Sequence, residues 1–218
     1  MDLIEFKTSI MNYRRFIFLD IDGVLNHDEW YNHLYNTYPG EELSRWDITK
    51  YHISPASTPL LNQLEGCEVV ISSSWGYDET TVQGLRDAGL ALPIIGGITH
   101  KSLFDKSLCR GNDIARWFVD NVGDIPPMDA VMHVGSCLAH GESGRLDPWY
   151  HTKYHYNFIN GKEERVIEDG DVAYTYVIFD DDNDMLFQQQ EHFVHVNSMV
   201  GITQSDIDKA KKILMLCG

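Results

Sequence analysis

The sequence predicts an α/β fold built on a mostly parallel sheet, and three observations carry that prediction. Short apolar runs alternate with helix-like segments, the order that strand–helix crossovers produce. Three of the runs end in acids or hydroxyls: Phe16–Leu19 in Asp20 and Asp22, Glu68–Ile71 in Ser72, Ser73 and Ser74, and Tyr174–Phe179 in the acids from Asp180 to Asp184. The carboxyl ends of parallel strands form the ligand crevice of an open sheet, so these distant residues would meet at one edge. The length, 218 residues, suits one large domain or one domain with a modest insertion.

The elements follow in order. Phe16–Leu19 is a four-residue apolar run ending in acids, a buried strand leading into a loop. Residues 27–54 are rich in Trp, Tyr and His and lack clean periodicity. Residues 57–65 read as a helix start, and 68–71 as the next strand. Asp78 to Gly89 reads as a helix with a glycine stop. Leu92–Ile95 is a short strand. Arg110 to Asn121 places Ile114, Ala115, Trp117 and Phe118 on one side of an amphipathic helix. Residues 122–172 read as irregular, with Gly, Pro, His and aromatics. Tyr174–Phe179 is a strand, Phe193–Val196 a last short strand, and Ser205–Leu216 a final amphipathic helix.

Charge narrows the functional classes. Seventeen Lys and Arg against 33 Asp and Glu give −16, which rules out a general basic footprint for nucleic acid and attraction to anionic membranes. A local basic site within an acidic protein stays open. The acids early in the N-terminal segment and its lack of a long apolar core do not fit a secretory signal. No stretch approaches the roughly 20 apolar residues of a membrane span. Cys67, Cys109, Cys137 and Cys217 form no CxxC pair and read as reduced thiols. An intracellular, cytoplasmic, soluble protein is expected.

The chemistry begins at Asp20-Ile-Asp-Gly-Val-Leu25. Two carboxylates two residues apart repel, so they need a cation or a proton between them. One can attack phosphorus while the other handles protons. Gly23 permits the sharp turn that follows. Alone, the pattern is matched by a strand-end turn in which Asp serves local hydrogen bonds.

The stretch FLDIDGVLN resembles the first motif of the haloacid dehalogenase (HAD) superfamily in its phosphatase branch. The resemblance implies a Rossmann-like sheet with helices on both faces. It also implies Asp20 as nucleophile and Asp22 as the acid that protonates the leaving oxygen and then activates water. The family's second motif, a Ser or Thr at the next strand end, is matched by VVISSSW, with Ser72 favoured by strand length and Ser73 the alternative. The third, a Lys or Arg near a helix start, has Lys101, Lys106 and Arg110 as candidates. Arg110 is preferred over Lys106 because it opens a helix and because RGNDI is similar to the RG-x-[DE]-I pattern of a small subgroup related to RNA-repair proteins. The fourth, a strand followed by acids that hold Mg²⁺, is matched by YVIFDDDNDM. It implies Asp180 and Asp181 as ligands, Asp184 able to join, and Asp20 and the Asp22 carbonyl completing an oxygen set that suits Mg²⁺. HFVHVNSMVGIT is similar to the subgroup's terminal strand and "GLT" turn, with Ile202 in place of Leu. An EF-hand from Asp180 to Glu191 fits poorly: its sixth position is Met185 rather than Gly, and the preceding TYVIF is strand-like.

The resemblance implies one HAD-like domain over 1–218, a minimal cap-like insertion at 27–56 and a second insertion at 126–172 before the last catalytic strand. Trp30, Tyr31, His33, Tyr35, Tyr38, Trp46 and Tyr51 of the first insertion either pack the cap or stack on a base. The second holds His133, Cys137, His140, His151 and His155, whose spacing matches no named zinc motif and reads as surface or core-edge histidines. Arg145, Lys153, Lys162 and Arg165 form either a solvated face or a local strip for further phosphates. The implied activity is Mg²⁺-dependent phosphomonoester hydrolysis. The first substrate class is a small phosphorylated molecule such as a nucleoside monophosphate, and the second is a 3′-phosphate at a nucleic-acid end. A non-catalytic binding protein on the same scaffold is the third reading, and retention of Asp20, Asp22 and the Asp180 cluster argues against it.

Overall fold

The structure is a computed structural model and describes residues 14–37, 52–100, 108–122 and 174–216, with the backbone alone of short strands at 135–136, 143–144, 156–159 and 162–165. Five strands form one parallel sheet: β1 (Arg14–Leu19), β2 (Glu68–Ile71), β3 (Ile94–Gly97), β8 (Tyr174–Asp180) and β9 (Phe193–His195). The order is β3-β2-β1-β8-β9, and every pairing is parallel. β4 (Gly135–Ser136) pairs antiparallel with β5 (Ser143–Gly144), and β6 (Tyr156–Ile159) with β7 (Lys162–Arg165). Helices are α1 (Asp28–Thr37), α2 (Ser57–Leu61), α3 (Glu79–Asp87), α4 (Arg110–Asn121) and α5 (Gln204–Ile213), with a 3₁₀ helix at Phe187–His192.

Alternation along the strands explains why helices lie on both faces. Ile17 and Leu19 of β1 join Val69, Ile71, Val177 and Phe179 in a core covered by Leu61 of α2, Leu85 of α3 and Ile207 and Ala210 of α5. Phe16 and Phe18 point the other way, with Val70, Tyr176 and Ile178, against Ile114, Trp117 and Phe118 of α4. The second face is aromatic: Phe18 meets Trp117 edge-on at 5.3 Å and Phe118 at 5.1 Å between ring centroids. Phe16, Ile17, Phe18 and Leu19 are all fully buried because β1 is central and covered on both faces. At its far end Arg14 pairs with Glu68 at 2.7 Å, pinning β1 to β2.

The strand order places the crevice. The chain moves from β1 outward to β2 and β3, then returns to the opposite edge of β1 for β8. The reversal lies between β1 and β8, where open α/β sheets bind ligands beyond the strands' carboxyl ends. Leu19 and Phe179 are in register there, so Asp20 and Asp180 leave the sheet side by side.

Several boundaries differ from expectation, each for a local reason. The strand expected at 92–95 runs from Ile94 to Gly97: Pro93 has no N–H, and its carbonyl accepts from Val69 N–H at 2.7 Å. The helix begun at Ser57 stops at Leu61, and the Asn62 side chain instead bonds the Gly89 carbonyl and the Ala91 N–H. The last helix ends at Ile213, and Met215 adopts a left-handed φ of 52°. Helix α1 falls where no periodicity is visible. Leu34 is its one buried residue, and its first N–H groups are satisfied by the Ser198 and Met199 carbonyls. No helix among the described residues is long and apolar enough to cross a membrane.

Candidate active site

Asp20 directly follows β1 and is 4% exposed. Its Oδ1 accepts the Ile21 N–H at 2.7 Å. Its Oδ2 lies 3.2 Å from Nη1 of Arg110, and the Ser73 side chain also hydrogen-bonds it. Burial pushes this carboxyl up to about 6, against the opposing pull of the Arg110 guanidinium.

Asp180 ends β8 and is fully buried. Its Oδ1 accepts the Asp182 N–H at 2.9 Å, and its Oδ2 lies 3.2 Å from the same Arg110 nitrogen. Burial, then the nearby Asp20 charge, raises its pKa well above the usual carboxylate range. Asp181 is half-buried, and its pKa is also raised, first by burial and then by Asp182. A Cβ built on Gly23 would come within 2.3 Å of the Asp181 carboxyl carbon. Glycine is therefore required twice, by its φ of 71° and by the acid packed against it.

One oxygen each from Asp20, Asp180 and Asp181 lie within 4.8 Å of one another. Arg110 is the one basic side chain that ion-pairs with Asp20 and Asp180 among the described residues. Burial is the first cause of the raised pKa of each of these acids, and the charge of a neighbouring carboxylate adds to it. An all-oxygen, carboxylate-rich donor set fits a hard divalent cation such as Mg²⁺.

Arg110 opens α4, and its guanidinium also donates to the Ser72 carbonyl. The surrounding carboxylates hold it charged, raising its pKa despite burial. Ser72 is fully buried at the carboxyl end of β2, and its hydroxyl has no hydrogen-bond partner among the described residues. Such an orphan is uncommon in a native interior and marks a group available to a ligand oxygen. Ser73 differs, since its hydroxyl is engaged by Asp20 and accepts the Trp75 N–H at 3.4 Å. Asp22 is held in place: Trp75 Nε1 donates to Oδ2 at 2.8 Å and Asn26 Nδ2 to Oδ1 at 2.9 Å.

The structure therefore brings Asp20, Asp22, Ser72, Ser73, Arg110, Asp180 and Asp181 to one edge of the sheet. Asp184 takes another place than the metal group, with its Oδ2 accepting the Arg110 backbone N–H at 3.0 Å. Lys101 and Lys106 lie outside the described residues. So do Tyr38, Trp46, Tyr51, His133, Cys137, His140, Arg145, His151, Lys153, His155 and Cys217; of Lys162 and Arg165 only the backbone is described. Cys67 and Cys109 are buried, and neither forms a disulfide among the described residues.

Sequence reasoning missed four contributors. Trp75 and Asn26 orient Asp22. His100 donates from Nε2 to the Ser73 carbonyl at 2.5 Å, and burial and Arg110 keep it neutral by lowering its pKa. Gln189 donates from Nε2 to the Gly111 carbonyl in the first turn of α4, at 3.0 Å. A Trp directly after a serine cluster and an Asn four residues beyond Asp22 were visible signals; His100 and Gln189 had none.

A family model for the HAD domain in Swiss Army Knife RNA repair proteins matches residues 16–132. No curated protein and no solved structure matches the chain. The matched span holds Asp20, Asp22, Ser72, Ser73 and Arg110, while Asp180 and Asp181 lie beyond it, in the group of three acids that could hold a metal ion.

Proposed function

We propose that this chain, which belongs to the family of HAD domains in Swiss Army Knife RNA repair proteins, hydrolyses phosphomonoesters through an aspartyl-phosphate on Asp20. One observation carries the reading. A buried carboxylate at the end of the central strand faces the Arg110 guanidinium at 3.2 Å and shares a 4.8 Å cluster with two acids from the neighbouring strand end.

An Asp20 oxygen attacks phosphorus, and the bond from phosphorus to the leaving oxygen breaks. Asp22 gives its proton to that oxygen. Asp22 then takes a proton from water, whose oxygen displaces Asp20 from phosphorus, releasing phosphate and restoring the carboxylate. Arg110 and the Ser72 hydroxyl hold the phosphoryl oxygens, and Arg110 offsets the charge that builds there. Trp75 and Asn26 keep the Asp22 carboxyl aimed through both proton transfers. A Mg²⁺ held by Asp20, Asp180, Asp181 and the Asp22 carbonyl would neutralise the anionic phosphate as it nears Asp20.

The substrate class we favour is a nucleotide-sized phosphomonoester, in keeping with the net charge of −16. A 3′-phosphate on a nucleic-acid end is the second reading, favoured by the RNA-repair family match. Polymer affinity rests on cationic contacts to phosphates, so a steep salt dependence on a 3′-phosphorylated oligonucleotide would select the second.

Phosphate release is measured with Mg²⁺ and with EDTA on 5′- and 3′-nucleotides, sugar phosphates and a 3′-phosphorylated oligonucleotide. Release that requires both Mg²⁺ and Asp20 is expected. Release that survives Asp20→Asn, or no release by folded protein from any substrate, removes the proposal.

A further inference from the structure

We infer that Gln189 is the positioning residue for Arg110. The inference rests on the phosphatase reading only for what Arg110 does, since the geometry stands without it. Gln189 lies on the 3₁₀ helix after β8 and is 2% exposed. Both ends of its amide are used. Oε1 accepts the Leu186 N–H at 2.9 Å, and Nε2 donates to the Gly111 carbonyl at 3.0 Å. The partners fix the amide orientation, because an N–H can only donate and a carbonyl only accept.

Gly111 follows Arg110 directly in the first turn of α4. A Cβ there would come within 2.4 Å of the Leu186 nitrogen and 2.5 Å of Gln189 Oε1. The missing side chain therefore makes room for the amide. Two further bonds close the same seam: Arg110 N–H donates to Asp184 Oδ2 at 3.0 Å, and Gly111 N–H to the Asp184 carbonyl at 3.3 Å. The first N–H groups of a helix have no partner within it, and here the loop carrying Asp180 and Asp181 supplies them. The cation and the acids thus arrive on two elements far apart in sequence, joined by the buried Gln189 amide together with the two Asp184 bonds. That joint sets where Nη1 of Arg110 sits, 3.2 Å from both Asp20 and Asp180.

A bland role would have Gln189 only satisfy two buried backbone groups. A double-mutant cycle separates the two roles, because residues acting through one another are non-additive. Gln189→Leu and Gln189→Glu are each combined with Arg110→Ala, and kcat/KM is measured for a small phosphomonoester with Mg²⁺. The Glu variant keeps the bond accepted from Leu186 and loses the one donated to Gly111. A misplacement of about 1 Å can lower rate about 100-fold, so a loss of roughly 10- to 100-fold is expected alone. Less than about threefold is expected once Arg110 is already Ala. A full second loss in the Arg110→Ala background overturns the inference and leaves the phosphatase reading intact. An Arg110→Ala protein of undiminished activity overturns both the inference and the role given to Arg110.

A readout independent of turnover is the side-chain Nε–H resonance of Arg110, assigned by its loss in Arg110→Ala. Either Gln189 variant should move it toward the position of exposed arginines. An unmoved resonance in both variants sinks the inference whatever the activity.

Discussion

Replacing Asp20 by Asn should make the metal-free protein more stable, and the gain should depend on pH. The Asp20 carboxyl is raised from 3.8 to about 6 in the fold. A raised acid pKa means that the folded state holds its proton longer than the unfolded chain does. Stability from this group is therefore complete below about pH 4 and falls as pH rises to about 6, where the loss levels off. Roughly two pKa units at 1.36 kcal/mol each give about 3 kcal/mol of destabilisation at neutral pH. Asn carries no charge, so it escapes this term. Its Oδ1 can still accept the Ile21 N–H, but its NH₂ faces the Arg110 guanidinium and returns about 1 kcal/mol. The net gain expected in EDTA at pH 7.5 is about 2 kcal/mol, or roughly 4–8 °C in Tm for a chain of this size. Thermal unfolding of both proteins at pH 5.0 and 7.5, with EDTA and with Mg²⁺, tests it. The gap should shrink at pH 5.0, and Mg²⁺ should narrow it by stabilising the wild type more than the variant, which keeps Asp180 and Asp181. An Asn variant no more stable than wild type in EDTA at pH 7.5, or a gap that ignores pH, would refute the electrostatic account of the site.

Gly23→Ala should lower stability by about 1–3 kcal/mol, the strain of a left-handed φ plus displacement of Asp181, and should raise the Mg²⁺ needed for half-maximal activity; an unchanged Mg²⁺ requirement would show that Asp181 does not hold the metal. Trp75→Phe removes the indole N–H that Asp22 accepts at 2.8 Å and should lower kcat about 10-fold or more with Tm nearly unchanged; an equal fall in Tm would make Trp75 a packing residue. Burial pushes the Cys67 thiol up to about 11, so in native protein at pH 8 it should resist a disulfide-exchange reagent and react fully after denaturation. Fast native labelling of Cys67, located by mass spectrometry, would contradict the burial.

The strands were legible because the sheet's demands are local. A central strand covered on both faces must be apolar at successive positions, and Phe16–Leu19 and Tyr176–Phe179 are. The acids and hydroxyls that end them were legible for the complementary reason, since nothing in a core tolerates them unless a site uses them. α1 was not legible, because a helix that buries only Leu34 leaves no apolar stripe to detect. Gln189 was not legible either. Its amide serves backbone groups of α4 and of its own loop, and no sequence spacing records a contact across 78 positions. Asp184 reads in sequence as one more acid of a cluster, and only the fold separates it from its neighbours by giving it the Arg110 N–H. The preference for Arg110 had a physical basis in RG: the glycine brings its helix against the acid-bearing loop.

The parallel pairing of β1 with β8 also bears on how the protein is made. β1 leaves the ribosome before the other strands of the sheet, and β2 follows to cover one of its edges, with β3 beyond it. Its other edge waits for β8, more than half the sequence later. At roughly 5–20 residues per second that wait is on the order of ten seconds. Throughout it a strand whose residues Phe16–Leu19 are fully buried in the finished fold has one set of backbone groups open, a template for pairing with a neighbouring nascent chain. A product truncated before Tyr174 would keep Asp20, Ser72 and Arg110 and never acquire Asp180. Such a fragment should be sticky and inert, so biosynthesis delivers the assembled carboxylates and the protected strand edge in the same step.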